Sequence, residues 1–173
     1  YFELLRVRLT EEEISNRYSL QKMRCPVHLS IGQEAVPAVM SLFLKVKDLV
    51  VSTHRGHAHY LGKGGNLKKM ISEIYGKQTG CSKGKGGSMH LIDKKVGFYG
   101  TSAIVGNSIP VGVGLAYDYK LKKNKNLSVI YFGDGAVEEG VFFESLNLAA
   151  VKQTPTLFIC ENNLYSVYSP MKV

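Results

Sequence analysis

The fold of this protein is decided by LSVIYFGDGAVEEGVFFESLNLAAVKQTPTLFICENN, residues 127–163. An apolar run at 127–132 leads through a Gly-Asp-Gly turn into a helical pattern at 138–151, and a second apolar run follows at 156–160. Strand, helix and strand joined by short connections form a βαβ unit, whose two strands are parallel. Almost continuously apolar strands suit a sheet that is covered on both faces. The stretch predicts an α/β fold with a parallel sheet flanked by helices.

Polar residues follow both strands of this unit. Asp134 lies in the Gly133-Asp134-Gly135 turn after the first strand, and Asn163 follows the second. Neighbouring parallel strands end at one edge of the sheet, where open α/β sheets bind their ligands. A carboxylate and an amide oxygen, completed by phosphate oxygens, suit Mg²⁺, and the turn glycines allow backbone amides to approach an anion. The pair predicts a metal–diphosphate site, and the alternative is an ordinary turn and an ordinary loop.

The rest of the chain is mostly helical in pattern. The predicted elements are helices over 1–24, after Gly32, over 67–75 and over 109–121, a strand over 48–52, and an irregular segment over 76–102. Asn66 and Ser108 are residue types that cap helix N-termini, and each precedes a predicted helix. Gly112, Gly114 and Ala116 give the last of these helices a small-residue face for close packing.

Length and composition exclude several classes of protein. With 173 residues, 45% of them apolar, the chain can bury the core of a single domain over 1–173. No stretch approaches the roughly 20 apolar residues of a membrane span, and the lysines behind the net charge of +8 are dispersed, which disfavours nucleic acid. Three widely spaced cysteines favour a reducing, cytoplasmic location. The first residue is Tyr1, so we expect a piece of a longer polypeptide.

Several motifs occur in an order typical of one family. Gly133-Asp134-Gly135 followed by Asn162-Asn163 resembles the thiamine diphosphate-binding signature. Upstream stand HLSIGQEA (28–35), THRGH (53–57), SKGKGGSMH (82–90) and AIVGNSIPVGVG (103–114). The set resembles the alpha subunits of the thiamine-dependent 2-oxo acid dehydrogenases, which include the pyruvate, branched-chain and acetoin enzymes. The resemblance covers nearly the whole chain and implies a thiamine diphosphate-binding fold, its pyrophosphate-binding domain incomplete at the C-terminal end.

The resemblance implies how the diphosphate and its metal would be held. Asp134, the side chain of Asn163 and the backbone carbonyl of Tyr165 would ligate Mg²⁺. Gly135 and Ala136 would offer backbone amides to the diphosphate. In the following loop Ser166 stands where dehydrogenase relatives often carry Gly.

Further contacts to the cofactor are implied by the upstream motifs. Arg55 would clamp the diphosphate, a role that suits a guanidinium because it can donate two parallel hydrogen bonds. His54, where many relatives carry Tyr, would also contact the diphosphate. Ala103 and Val105 would hold the aminopyrimidine ring through their backbone groups.

The sequence allows two interpretations of the histidines. His28 and His57 match family positions near the reacting carbon, where an imidazole can orient substrate or transfer protons. The alternative for His54, His57 and His59 is a zinc site, which the missing Cys and carboxylate ligands and the adjacent Arg55 disfavour.

The activity implied by the resemblance is oxidative decarboxylation of a 2-oxo acid such as pyruvate, with acyl transfer to a lipoyl acyltransferase. A beta subunit would complete the cofactor pocket in an assembly of two alpha and two beta subunits. Other hypotheses remain: an acetoin dehydrogenase or a biosynthetic acyl-transferring enzyme, a non-catalytic cofactor-binding remnant, and a simple phosphate-binding α/β module.

Overall fold

A parallel sheet of four strands forms the centre of the protein, and the computed structural model describes residues 1–172. The strands are β1 (Leu49–Ser52), β2 (Phe98–Thr101), β3 (Ser128–Gly133) and β4 (Thr156–Glu161). Their spatial order is β2-β1-β3-β4, and every neighbouring pair is parallel. The predicted α/β architecture with a parallel sheet is therefore confirmed.

Six helices and a small hairpin surround this sheet in residues 1–172. The helices are α1 (Phe2–Tyr18), α2 (Ala35–Met40), α3 (Gly56–Gly62), α4 (Leu67–Ile74), α5 (Ser108–Leu121) and α6 (Gly140–Val151). Strands β5 (Tyr165–Ser166) and β6 (Ser169–Pro170) pair antiparallel. None of the helices in the described part of the chain has the length and apolar character needed to cross a bilayer.

Both faces of the sheet are covered, as apolar strands require. On one face Val50, Val129 and Tyr131 join a buried cluster with residues of α1, α3 and α4. On the other face Val51 and Ile130 join a second cluster with residues of α5 and α6. Successive strand residues thus alternate between two cores, because side chains along a strand point to opposite faces.

Helix α5 packs closely on the sheet through one glycine. A Cβ atom at Gly112 would lie 2.3 Å from Cγ1 of Ile130 and 2.8 Å from Cγ2 of Val51. Ala116 is buried on the same helix, whereas no atom lies within 4 Å of the position of a Cβ at Gly114. The predicted small-residue face is confirmed for Gly112 and Ala116 and is wrong for Gly114.

Helix α3, strand β2 and the two strands of the β5–β6 hairpin were not predicted from the sequence. Helix α3 is buried at every position from Gly56 to Leu61, so it lacks the polar face whose alternation reveals a helix. Strand β2 lies inside the segment that was expected to be irregular, and it is only four residues long. It pairs with β1, a partner distant in sequence, so no local pattern marks it.

Element ends also differ from the predictions. Helix α1 ends at Tyr18 rather than at residue 24, and Gln21 beyond it adopts a left-handed conformation with φ of 54°. Asn66 caps α4 as expected by accepting a hydrogen bond from the backbone N–H of Lys69. Ser108 is not a cap, because it is the first residue of α5 and is buried.

Candidate functional site

A cavity of about 290 Å³ lies at the carboxyl ends of the four parallel strands. It gathers all predicted site residues except His57 and Ala103. Those that line it are His28, His54, Arg55, Val105, Asp134, Gly135, Ala136, Asn163 and Tyr165. These residues come from segments far apart in sequence, and the parallel sheet brings them together because its strands all end at this edge.

Asp134 and Asn163 meet because β3 and β4 are neighbours in register. Gly133 at the end of β3 pairs with Glu161 at the end of β4. The backbone N–H of Asn163 donates to Oδ1 of Asp134 at 3.4 Å, and the N–H of Tyr165 donates to Oδ1 of Asn163 at 3.0 Å. The two residues thus lie together at one edge of the sheet, as expected for the ends of neighbouring parallel strands, and both line the cavity.

The donor atoms at these two strand ends suit a hard divalent cation. Asp134 forms no ion pair with any Lys, Arg or His of residues 1–172, so its charge has no cationic side chain beside it. No cluster of three or more His, Cys, Asp or Glu side chains forms in the described residues. A cation here would instead use one carboxylate, one amide oxygen, a backbone carbonyl and oxygens of a bound phosphate, which is a donor set that Mg²⁺ accepts.

The turn after β3 offers backbone to an anion. Residues Asp134–Glu138 form a 3-10 turn ahead of α6. A Cβ at Gly135 would lie 2.7 Å from Oγ of Ser166, so only glycine fits beside the hairpin at this position. The side chain of Ser166 therefore packs directly against the part of the turn that faces the cavity.

Arg55 and two histidines form another part of the cavity wall. Nη1 of Arg55 lies 3.2 Å from Nε2 of His54, and the rings of His54 and His28 meet edge to face with centroids 4.9 Å apart. Burial, then the charge of Arg55, then His28 lower the pKa of His54 to about 4. The same causes, burial first and then Arg55, lower the pKa of His28. Both imidazoles are thus neutral near pH 7, which leaves Arg55 as the positive charge of this wall.

His57 and Ala103 lie outside the cavity lining. Ala103 is exposed in the turn before α5. His57 is fully buried, with Nδ1 at 3.0 Å from Oε1 of Glu11 and Nε2 at 2.8 Å from Oγ of Ser88. Because both ring nitrogens are engaged inside the protein, the direct role near a reacting carbon that the resemblance implied does not fit the position of His57.

The three histidines of the THRGHAH motif have separate partners. His54 contacts Arg55, and His57 contacts Glu11 and Ser88. His59 bonds through Nδ1 to Oγ of Ser52 at 2.8 Å. The motif therefore forms three separate contacts and no shared set of zinc ligands.

Several hydroxyl side chains of the lining were not predicted as site residues. Thr53 follows β1 just as Asp134 follows β3, so its position after a β-branched run was a usable signal. Ser102 follows β2 and could not be placed from the sequence, because β2 was not recognised as a strand. Ser108 lies at the start of α5, where the sequence placed it, but its position in the cavity lining was not predicted.

The fold and the site together define a class of protein. The chain is similar to the X-ray structure of a thiamin diphosphate-dependent enzyme isolated from Mycobacterium smegmatis, with a TM-score of 0.51 and 15% sequence identity. The match covers 84% of this chain and 22% of that one. At this identity the likeness concerns the fold, and the fold is the thiamine diphosphate-binding fold that was predicted.

The family to which this chain belongs is shown by sequence similarity. The model of the dehydrogenase E1 component matches residues 3–172, and the chain belongs to this family. The alpha subunit of the acetoin:2,6-dichlorophenolindophenol oxidoreductase of Bacillus subtilis (strain 168) is 42% identical over 99% of this chain and 52% of its own length. The mitochondrial pyruvate dehydrogenase E1 component subunit alpha of Solanum tuberosum is 40% identical over 95% of this chain and 42% of its own length. The chain spans about half the length of the curated relatives it matches.

Proposed function

We propose that this chain forms the part of a 2-oxo acid dehydrogenase alpha subunit that binds thiamine diphosphate through Mg²⁺. The observation that carries the proposal is the contact between Asp134 and Asn163 at adjacent strand ends, beside a cavity that Arg55 also lines. A metal bound by Asp134 and Asn163, together with the guanidinium of Arg55, would neutralise the charge of a diphosphate in this cavity.

Each wall of the cavity has a distinct role in this proposal. Asp134, the amide oxygen of Asn163 and the backbone carbonyl of Tyr165 hold Mg²⁺. The N–H groups of Gly135 and Ala136 donate to the diphosphate. When bound, thiamine diphosphate supplies the electron sink for decarboxylation of a 2-oxo acid.

Arg55, His54 and His28 bind the diphosphate and orient the substrate in this proposal. Arg55 donates two hydrogen bonds to the diphosphate, and neutral His54 accepts one from Arg55 and so orients the guanidinium. His28, also neutral, is placed on the cavity wall to orient the substrate carbonyl or to take up a proton. Val105 and Ala103 hold the aminopyrimidine through backbone groups.

The substrate and partners are proposed from the relatives and from the family resemblance. Relatives named as pyruvate dehydrogenase alpha subunits support a 2-oxo acid such as pyruvate as the substrate. A beta subunit, in an assembly of two alpha and two beta chains, and transfer of the acyl group to a lipoyl acyltransferase are proposed from the family resemblance. The relative named as an acetoin oxidoreductase alpha subunit supports an acetoin dehydrogenase as the second candidate. The relatives include mitochondrial and bacterial proteins, so the cytoplasmic location stays a prediction. The single domain over 1–173 also stays a prediction.

The proposal is tested by titrating thiamine diphosphate into the full-length chain assembled with its beta subunit. We expect binding that needs Mg²⁺ and is abolished by EDTA. Asp134→Ala is expected to weaken binding by more than about tenfold, because even outer-shell residues of metal sites contribute that much. Asp118→Ala is the matched control, since Asp118 is an exposed aspartate of α5 that pairs with Lys122.

The outcomes separate the hypotheses. Unchanged affinity in Asp134→Ala, with no effect of EDTA, would contradict the metal–diphosphate site. Equal affinity for thiamine diphosphate and for inorganic pyrophosphate would favour a simple phosphate-binding module. Tight cofactor binding without turnover of any 2-oxo acid or acetoin would identify a non-catalytic cofactor-binding protein.

A further inference from the structure

A chain of buried side chains lies behind the cavity wall and is centred on His57. Glu11 of α1, His57 of α3 and Ser88 of the segment before β2 are each 0% exposed. Nδ1 of His57 lies 3.0 Å from Oε1 of Glu11, and Nε2 lies 2.8 Å from Oγ of Ser88. Three segments that are distant in sequence therefore meet at one imidazole ring.

The chemistry of the partners sets the direction of the first contact. A carboxylate only accepts hydrogen bonds, so Nδ1 of His57 donates to Glu11, and the hydroxyl of Ser88 pairs with Nε2. Serine, histidine and glutamate in this order resemble a hydrolytic triad by composition. All three side chains are fully buried and none lines the cavity at the strand ends, so no substrate reaches the Ser88 hydroxyl.

The same network reaches the cavity wall at two points. Oε2 of Glu11 accepts a hydrogen bond at 3.4 Å from the backbone N–H of Ser30, two residues after His28. The hydroxyl of Ser30 donates to the backbone carbonyl of Arg55 at 3.2 Å, and Arg55 is two residues before His57. The wall segments 28–30 and 53–57 are thus bonded to α1 and to each other.

The other end of the network is anchored as well. Glu73 of α4, fully buried, accepts hydrogen bonds from three backbone N–H groups of the glycine-rich segment 80–90 that carries Ser88. The donors are Ser82 and Gly84 at 2.8 Å each and Gly86 at 2.7 Å. These three bonds hold segment 80–90, which has no helix or strand, in one position. They therefore also fix the position of Ser88.

We propose that Glu11, His57 and Ser88 are positioning residues of the diphosphate site. They set the places of Arg55 and His28 on the cavity wall and touch neither cofactor nor substrate. The inference rests on the proposed function only for the identity of the ligand. Removing a member of the network is expected to misplace the guanidinium, and a diphosphate clamp depends strongly on such placement.

Two variants of the full-length chain, assembled with its beta subunit, test the network. Ser88→Ala removes the hydroxyl at Nε2 of His57. Glu11→Gln keeps the shape of the side chain but replaces one carboxylate oxygen by an N–H₂ donor, so His57 and Ser30 lose their charged acceptor and one of its two oxygens. The matched control is Ser128→Ala, because Ser128 is equally buried and its hydroxyl donates to the carbonyl of Gly112 at 2.8 Å, at the far end of β3.

Three measurements are made on each variant: amide hydrogen exchange of segments 28–32 and 53–57 without cofactor, the Kd of thiamine diphosphate, and kcat at saturating cofactor. We expect Ser88→Ala and Glu11→Gln to speed exchange in these segments and to raise the Kd by about tenfold. We expect kcat at saturating cofactor to fall by less than the affinity does, because excess cofactor compensates for a misplaced Arg55 but not for a displaced His28. Ser128→Ala is expected to lower the Tm and leave exchange and Kd unchanged.

Two results would overturn the inference. One is exchange and Kd in Ser88→Ala equal to those in Ser128→Ala. The other is an unchanged Kd with a lower kcat and a shifted pH profile, which would make His57 a participant in the reaction itself. A wild-type protein that fails to bind thiamine diphosphate would contradict the proposed function instead, and the exchange measurement would still decide whether the network holds the two segments.

Discussion

Glu73→Gln is a substitution whose effect on stability can be worked out from the contacts of one side chain. Glu73 is fully buried and accepts the backbone N–H groups of Ser82 and Gly84 at Oε2 and of Gly86 at Oε1. Glutamine has nearly the same shape, but one of its two terminal groups is an N–H₂ donor. One of the three backbone donors therefore loses its acceptor, and the other two exchange a charged acceptor for a neutral one.

The size of the effect follows from these three bonds. A buried donor left without an acceptor costs about 1–3 kcal/mol, and a hydrogen bond to a charged group is worth about 1 kcal/mol more than a bond to a neutral group. Glu73→Gln is then expected to lower the free energy of unfolding by about 3–5 kcal/mol. Glu73→Ala, which strands all three donors, is expected to cost about 5 kcal/mol or more.

The assay is guanidinium unfolding of the full-length chain followed by far-UV circular dichroism, since these 173 residues contain no Trp. The matched control is Glu13→Gln, because Glu13 is exposed on α1 and pairs only with Arg17, so its substitution should change stability little. If Glu73→Gln proves as stable as Glu13→Gln, the carboxylate does not hold the glycine-rich segment, and the anchoring of Ser88 by Glu73 is refuted.

Two further predictions concern packing and titration. Gly112→Ala is expected to lower the free energy of unfolding by about 1–3 kcal/mol, because its Cβ would lie 2.3 Å from Cγ1 of Ile130. Gly114→Ala on the same helix has no atom within 4 Å of its Cβ, so it should stabilise the protein by up to about 1 kcal/mol. Equal effects of the two variants in thermal unfolding would contradict the packing of α5. In an NMR titration His54 is expected to change charge with a pKa of about 4, and Arg55→Gln should raise this pKa yet keep it below 6.5, because burial is the larger cause. In the unfolded chain the His54 imidazole takes up its proton already near pH 6.5, so the free energy of unfolding should fall as the pH drops from about 6.5 towards 4. A His54 that titrates near 6.5 in the folded protein would disprove the burial argument.

The sequence by itself determined the βαβ unit and the meeting of Asp134 and Asn163. Both depend on local signals: apolar runs of strand length, a Gly-Asp-Gly turn, and a helix of ordinary length between them. Once two consecutive strands are parallel and adjacent, their ends share an edge, so the position of both side chains follows without knowledge of the rest of the chain. The register of Gly133 with Glu161 agrees with that reasoning.

Only the tertiary structure decided which upstream residues face the cavity. His54 and His57 stand three positions apart in one motif, yet His54 lines the cavity while His57 is buried against Glu11 and Ser88. Helix α3, which contains His57, is buried at every position from Gly56 to Leu61, so no alternation of polar and apolar residues reveals its orientation. Burial and long-range hydrogen bonds are properties of segments that meet only after folding, and a pattern confined to neighbouring residues does not contain them.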